Sequence, residues 1–265
     1  MGSFGRLGTG FGRLGVNGRH ATVSYSAEAL AVFAAMTTPP TDARKLLIDA
    51  CIAALKTGGV WTLLDVLYVF AAPDTQSALL NWKNPGTNNA VETVAPTHVA
   101  DRGYTSNGTT QYLTSYNPST AGLQFVRDDN HLGCYVLTNG AATGSDVGSQ
   151  NVRSRIRNRS GSSGFIVTSS GTTTATPADG VNVPAHLVGI RRDSANQFAF
   201  RNGLQASTAA VASTGTTDII EICRAFASYS DRQIALVHAG KSLSDPQALA
   251  AYNAFNTYLQ AVGAV

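Results

Sequence analysis

HLVGIRR (186–192), QFAFRNG (197–203), DIIEICRAFASYS (218–230) and IALVHAG (234–240) follow one another near the C-terminal end of the chain. These runs are rich in Val, Ile and Phe and are punctuated by Asp193-Ser194-Ala195-Asn196, Asn202-Gly203 and Ser230-Asp231, the pattern of an antiparallel meander. Pairing within such a pattern is local, so each hairpin is expected to template the next. Phe198 and Phe200 are two apart and share a face. The 234–240 run is apolar at both alternations, so it must be covered on both sides. The rest of the chain is expected to supply that cover.

A chain of 265 residues is long enough for one large β-sandwich or two modest domains, with a real core in either case. Charged residues make up only 13%, about half the usual share, while Ser and Thr together number 50. The surface is therefore built from hydroxyls and amides, as in many extracellular adhesins and virion proteins. Cys51, Cys134 and Cys223 are odd in number and widely spaced, which favours three small buried residues over a disulfide framework or zinc knuckle. The N-terminus lacks an apolar leader, and the longest nearly apolar run, 63–72, is far shorter than the roughly 20 residues that span a bilayer. A protein made in the cytoplasm, without membrane insertion, is the expectation. Net charge is +3, but Arg6, Arg13 and Arg19 and the four arginines of 153–159 leave the remainder at −4, so electrostatic partner binding belongs to those two patches.

Residues 1–23 form the first of three expected segments. They carry FGRLG twice, at 4–8 and 11–15. So Gly-rich a repeat cannot build a core of its own, but it can order against a partner, with Phe4, Leu7, Phe11 and Leu14 as apolar plugs and Arg6 and Arg13 as clamps. The competing reading is a disordered tail. The G-x-G-x-x-G at Gly10, Gly12 and Gly15 has no strand before it and no βαβ unit around it, so it is no dinucleotide site. Residues 24–84 read as a helical collar. A short helix covers 27–36, and a firmer one is capped by Thr41 and ended by Gly58. A strand follows at 67–72, then a last helix capped by Asp74. Trp82 closes this part, either as core or as a ligand-facing ring.

From Val91 the pattern becomes strands and turns. The stretch GYTSNGTTQYL (103–113) resembles the strand-turn-strand of concanavalin A-like (laminin G-like) jelly-roll domains. The ending ALVHAGKSLSDPQALAAYNAFNTYL (235–259) is similar to the last strand, turn and helix of such domains in bacteriophage structural proteins. The resemblance implies a mainly β chain, a concanavalin A-like sandwich over 85–265 with an N-terminal helical lead-in and a C-terminal helix. It further implies a virion component that adheres to a host-surface glycan or decorates the particle. The expected partners are other virion proteins, further copies of the chain in a closed trimer, and host polysaccharide, but not nucleic acid. On the sandwich rim, Tyr104, Tyr112, Tyr116 and Asn117, with Trp82, are the candidate glycan contacts.

Arg153, Arg155, Arg157 and Arg159 recur every second residue and so share a face of any strand they form. Aligned like charges repel, and folding alone does not favour them. An edge strand guarded by charge would explain the ladder. So would an acidic surface on a neighbouring copy, an anionic polysaccharide or a phosphate. The C-terminal helix opens on a Ser244/Gln247 capping box, presents Leu249, Tyr252, Phe255, Leu259 and Val262 as one stripe, and ends at Gly263.

Catalytic chemistry is thinly written. A glycan-degrading enzyme on this fold needs two carboxylates flanking the scissile bond. The three glutamates are Glu28 in the collar, Glu92 alone, and Glu221 with Asp218 on the opposite strand face. The five histidines, at 20, 98, 131, 186 and 238, have no metal spacing, and His186 and His238 read as structural. Asp128-Asp129-Asn130 is at most a faint hint of calcium. The expectation is a protein that is not an enzyme, with the glycan-degrading enzyme as the alternative.

Overall fold

The computed structural model describes residues 23–151, 153–158, 165–171, 174–176, 183–215 and 217–265. The FGRLG repeat and Arg159 lie outside the described residues. The chain opens with α1 (Ala27–Ala35) and α2 (Asp42–Thr57), each started by a side-chain oxygen. Ser26 accepts from the Ala29 amide and Thr41 from the Arg44 amide, satisfying donors that a helix start leaves free. A 3₁₀ turn at Trp61–Leu63 leads into β1 (Leu64–Val69), which begins three residues earlier than the sequence pattern suggests. Asp74 then caps α3 (Thr75–Leu79).

The strands that follow are β2 (Val91–Val94), β3 (Thr97–Val99), β4 (Gly103–Thr105), β5 (Tyr112–Thr114), β6 (Asn130–Val136), β7 (Val147–Ser149), β8 (Arg155–Arg157) and β9 (Ile166–Thr168). They continue with β10 (Ala185–Arg191), β11 (Asn196–Arg201), β12 (Leu204–Ala210), β13 (Ile220–Ile222), β14 (Arg224–Ala225), β15 (Ser228–Tyr229) and β16 (Gln233–Gly240). Helix α4 (Asp245–Ala261) closes the chain. Sheet A runs β12-β11-β10-β6-β16-β4-β3, with β1 also on β16, and sheet B runs β2-β5-β13-β7-β8-β9. All pairings between the named strands are antiparallel. The architecture is mainly β, a two-sheet sandwich with helices stacked on one side.

The centre of sheet A is buried on both faces, while its edge strands β12 and β3 are largely exposed. One face carries Leu132, Cys134, Leu187 and Val237 against sheet B, and the other carries Tyr135, Val188, Ile190 and Leu236 against α1, α2 and α4. This is why IALVHAG is apolar at both alternations. Every residue of β6, β10 and β16 is buried. Fully burying one such aliphatic side chain is worth about 1.5–3 kcal/mol, so these three strands hold much of the fold.

Three local expectations are revised. The meander holds for β10, β11 and β12, which pair in series, but β13 leaves for sheet B, and β16 returns between β6 and β1 rather than beside its sequence neighbours. The motif 103–113 is likewise divided, since β4 pairs in sheet A and β5 in sheet B. Its turn is held by Asn107, whose Oδ1 accepts from the amides of Thr109, Thr110 and Gln111. Helix α4 has the capping box, but its buried face runs through Ala248, Ala251, Ala254, Phe255, Tyr258 and Leu259, while Leu249 is 39% exposed. The small Ala side chains let α4 lie close to α2 and the sheet, and they displace the predicted stripe by about one position.

Candidate functional site

Sheet B buries one face only through its sandwich side. Leu113, Ile222, Val147, Ile156 and Val167 stand opposite one another on β5, β13, β7, β8 and β9 and point into the core. The neighbouring register row is Thr114, Glu221, Gly148, Arg155 and Thr168, so by the two-residue period these residues face outward. Helices α1, α2 and α4 lie on the far side of sheet A and do not cover this row.

The cover here is a hairpin made by β14 and β15. Gly148 provides its seat, since a Cβ there would come within 2.6 Å of the Arg155 Cβ and 2.9 Å of the Ala225 Cβ. Arg155 and Ala225 thus lie side by side over the sheet. Arg224 places its guanidinium 4.3 Å from the Tyr112 ring centroid and 5.2 Å from that of Tyr229. Beneath the hairpin Glu221 is fully buried, with Arg224 Nε at 3.4 Å in an ion pair too poorly aligned for a hydrogen bond. Burial raises the Glu221 pKa, against the opposing pull of Arg224 and the Phe226 amide.

The root of the hairpin is fixed by a buried ion pair. Arg232 Nη1 donates to Asp146 Oδ1 at 2.8 Å, the Ser230 hydroxyl donates to the same oxygen at 2.6 Å, and the Asp146 carbonyl accepts from the Cys223 amide. At the tip Phe226 and Ala227 have φ of 42° and 56°, the left-handed region that Asn-Gly would occupy without strain, and Phe226 is 67% exposed. A strained turn that holds a large ring out in water is not explained by packing.

Strand β8 lies between β7 and β9, so the arginine ladder is not on an edge and does not guard one. Arg153 donates to Thr214 Oγ1 at 2.8 Å. Arg155 and Arg157 differ from it. Each is half-buried with Nε shielded from solvent, and neither guanidinium has a hydrogen bond or ion pair among the described residues. Burial lowers the pKa of both; the charge of Arg157 lowers that of Arg155 further, while Asp146 draws that of Arg157 partly back up.

Three of the five aromatic and amide candidates prove to be core. Trp82, at 1% exposure, packs edge-on against Tyr258 of α4 with ring centroids 5.4 Å apart. Tyr104 is fully buried against Phe70 and donates to Glu92 Oε1, and Tyr116 is also buried. A ring that stacks on a ligand must show a face, and these do not. Tyr112 reaches the surface in the stack with Arg224. Asn117 is half-buried and folds back to accept from the Ser119 amide, next to a loop cavity of about 500 Å³ that Leu123, Phe125 and Arg127 help to line. Phe226, Arg224 and Tyr229 were not singled out from the sequence. RAFASY reads as one strand there, and the only sign of a turn is the pair of small residues flanking Phe226.

The acidic turn 128–130 does not fit calcium. Asp129 accepts from the Ser242 amide, while the Asn130 side-chain nitrogen donates to the carbonyls of Val126 and Arg127 and to Ser170. Among the described residues no group of three His, Cys, Asp or Glu is arranged to hold a metal.

A second basic cluster lies on the helix side of sheet A. His131, His238 and His186, all fully buried, come from β6, β16 and β10 and bond in series. His131 Nδ1 meets the Lys241 carbonyl, which can only accept, so this nitrogen carries the proton and Nε2 accepts. His238 Nδ1 therefore donates to His131 Nε2 at 2.9 Å, and His186 Nε2 donates to His238 Nε2 at 2.8 Å. His186 Nδ1 is left as a buried acceptor without a partner. Burial is the largest cause lowering all three pKa values, to about 4 for His131 and about 3 for His186. Rings of Tyr135, Tyr252 and Phe255 enclose the chain.

No protein-family model and no curated protein matches this sequence. Solved structures match in fold. A sialidase of Trypanosoma rangeli, in complex with sialic acid, gives a TM-score of 0.54 at 11% identity over 81% of this chain and 40% of that one. Botulinum neurotoxin type C, whose cell entry depends on two ganglioside molecules, gives 0.53 at 8% identity over 74% and 52%. The binding domain of botulinum neurotoxin DC, in complex with rat synaptotagmin II, gives 0.52 at 8% over 73% and 52%. The chain thus spans about two fifths of the sialidase chain and half of the toxin chains. At such identity the likeness concerns the fold, a β-sandwich of jelly-roll type.

Proposed function

We propose that this chain is a glycan-binding β-sandwich that adheres without catalysing, carried on a bacteriophage particle through its N-terminal repeat. The observation that carries the reading is the outward row of sheet B. Its central carboxylate, Glu221, is sealed under the hairpin, while aromatic and arginine side chains remain beside it at the surface. Sugar sites combine a ring surface with a few placed polar groups. A hydrolase would need a second carboxylate and an open path to the first. The similar folds of a sialidase in complex with sialic acid and of a neurotoxin whose cell entry depends on gangliosides support the glycan part of the reading, and the doubled FGRLG and hydroxyl-rich surface support the particle part.

The test is to incubate the protein with host-surface polysaccharides and measure both retention and reducing ends. Retention without release is expected. Turnover that Glu221→Gln abolishes would overturn the non-enzymatic reading. Removing residues 1–20 should leave a folded protein that no longer joins its particle, and a large drop in melting temperature would instead make that segment part of the fold.

A further inference from the structure

Of the eleven described arginines, nine have a partner and two do not. Arg44, Arg102, Arg127, Arg153, Arg191, Arg192 and Arg232 each donate to a named oxygen, Arg224 is paired and stacked, and Arg201 also has an interaction. Arg155 and Arg157 alone among the described arginines have neither hydrogen bond nor ion pair, although they sit on an interior strand, half-buried, two residues apart. An unpaired charge that is partly withdrawn from water lowers stability, and a second one beside it lowers it further. Folding would be better served by Ser or Thr at both positions.

A partner supplied from outside removes this difficulty. We infer that the outward face of β8, together with the hairpin tip beside it, binds an acidic glycan, a chain of sugar rings bearing carboxylate or sulfate groups. This rests on the glycan-binding reading above and names its ligand class. Two guanidiniums on one strand face, spaced about two residue rises or roughly 7 Å apart, can each take an anionic group from a repeating polymer. Gly148 brings Ala225 against Arg155, and the residue that follows Ala225 at the hairpin tip is the exposed Phe226. Its ring supplies the apolar surface on which a sugar ring can lie. The left-handed backbone at Phe226 and Ala227 holds that ring out, which is a use for its strain. The alternative occupant with the same charge, an acidic patch on another copy of this chain, would not need the Phe226 ring in water.

The experiment measures affinity of the full chain for polygalacturonate, dextran sulfate and neutral dextran, in low and moderate salt, with Arg155→Ser/Arg157→Ser and Phe226→Ala beside the wild type. Wild type should bind one or both acidic polymers at least tenfold more tightly than dextran, and salt should weaken that binding. The double variant should lose at least tenfold, and Phe226→Ala several-fold, with melting temperatures not lowered. Equal affinity for dextran, or a double variant that binds acidic polymer like wild type, overturns the acidic site but leaves the glycan reading standing. Failure to bind any glycan removes both. Sedimentation under the same conditions covers the remaining case: a wild-type oligomer that the double variant dissociates would assign the arginines to a neighbouring copy and overturn the proposal.

Discussion

The two faces at the outside of the β layers each carry a set of basic side chains on the strands, and the two sets are handled in opposite ways. On the helix side of sheet A, His131, His238 and His186 are fully buried, neutral and bonded to one another. On the outward side of sheet B, Arg155 and Arg157 are half-buried, charged and unbonded among the described residues. The imidazole chain satisfies itself because each neutral ring has one donor and one acceptor, so a series can close on a single carbonyl. Guanidiniums have donors only and cannot satisfy each other. The histidines therefore serve the fold, and the arginines await something that accepts.

If that contrast is right, His238 is the most sensitive point in it. His238→Leu keeps the volume above Gly133 but leaves the His131 acceptor and the His186 donor buried and unpaired. At about 1–3 kcal/mol for each of the two orphaned groups, a loss of roughly 2–6 kcal/mol is expected in urea unfolding at pH 7.5. His186→Phe, at the end of the series, orphans only one acceptor and should cost less. Equal costs would mean that the bonds do not matter individually.

Acid should separate the two sets next. The folded-state pKa values of the histidines lie below the unfolded value near 6.5, so as pH falls the unfolded chain takes up protons first. Their contribution to stability is complete above pH 6.5 and shrinks on acidification toward pH 4 and 3. Each imidazole contributes a slope of up to about 1.4 kcal/mol per pH unit within its window. The chain itself limits how protonation proceeds. His186 Nδ1 can accept one proton with every hydrogen bond kept, whereas a second proton must place two N–H groups face to face. Urea midpoints at pH 7.5, 6.5, 5.5 and 4.5 check this, and a flat profile from 6.5 to 4.5 would contradict the burial argument.

The smallest effect belongs to the arginines. Arg155→Ser/Arg157→Ser should leave the slope with pH unchanged and raise stability by zero to about 1 kcal/mol, because it removes two partly buried charges that no hydrogen bond or ion pair among the described residues holds, against the loss of an unbonded attraction between Arg157 and Asp146. A loss of more than about 1 kcal/mol would mean that their stems or charges hold the sheet together.

What could be read without coordinates followed from period and punctuation. Helix α2 was legible from Thr41 to Gly58, the capping box of α4 from Ser244 and Gln247, and the double cover of β16 from its unbroken apolar run. These are local consequences of backbone hydrogen bonding and of which side chains need to leave water. Pairing order was not local. The crossing between sheets takes β13 away from β12 and brings β16 back to β6, and no nearby residue records that choice. The same holds for the chemistry. His131 and His238 are 107 positions apart, and the hairpin lid over Glu221 depends on a Gly at 148 on another strand. Sequence determined that this chain builds a two-sided β core with helices at its ends and an odd ladder of arginines. Only the tertiary structure decided which ring is core, which charge is answered and which is left open, because burial and hydrogen-bond partnership are properties of what distant strands bring together.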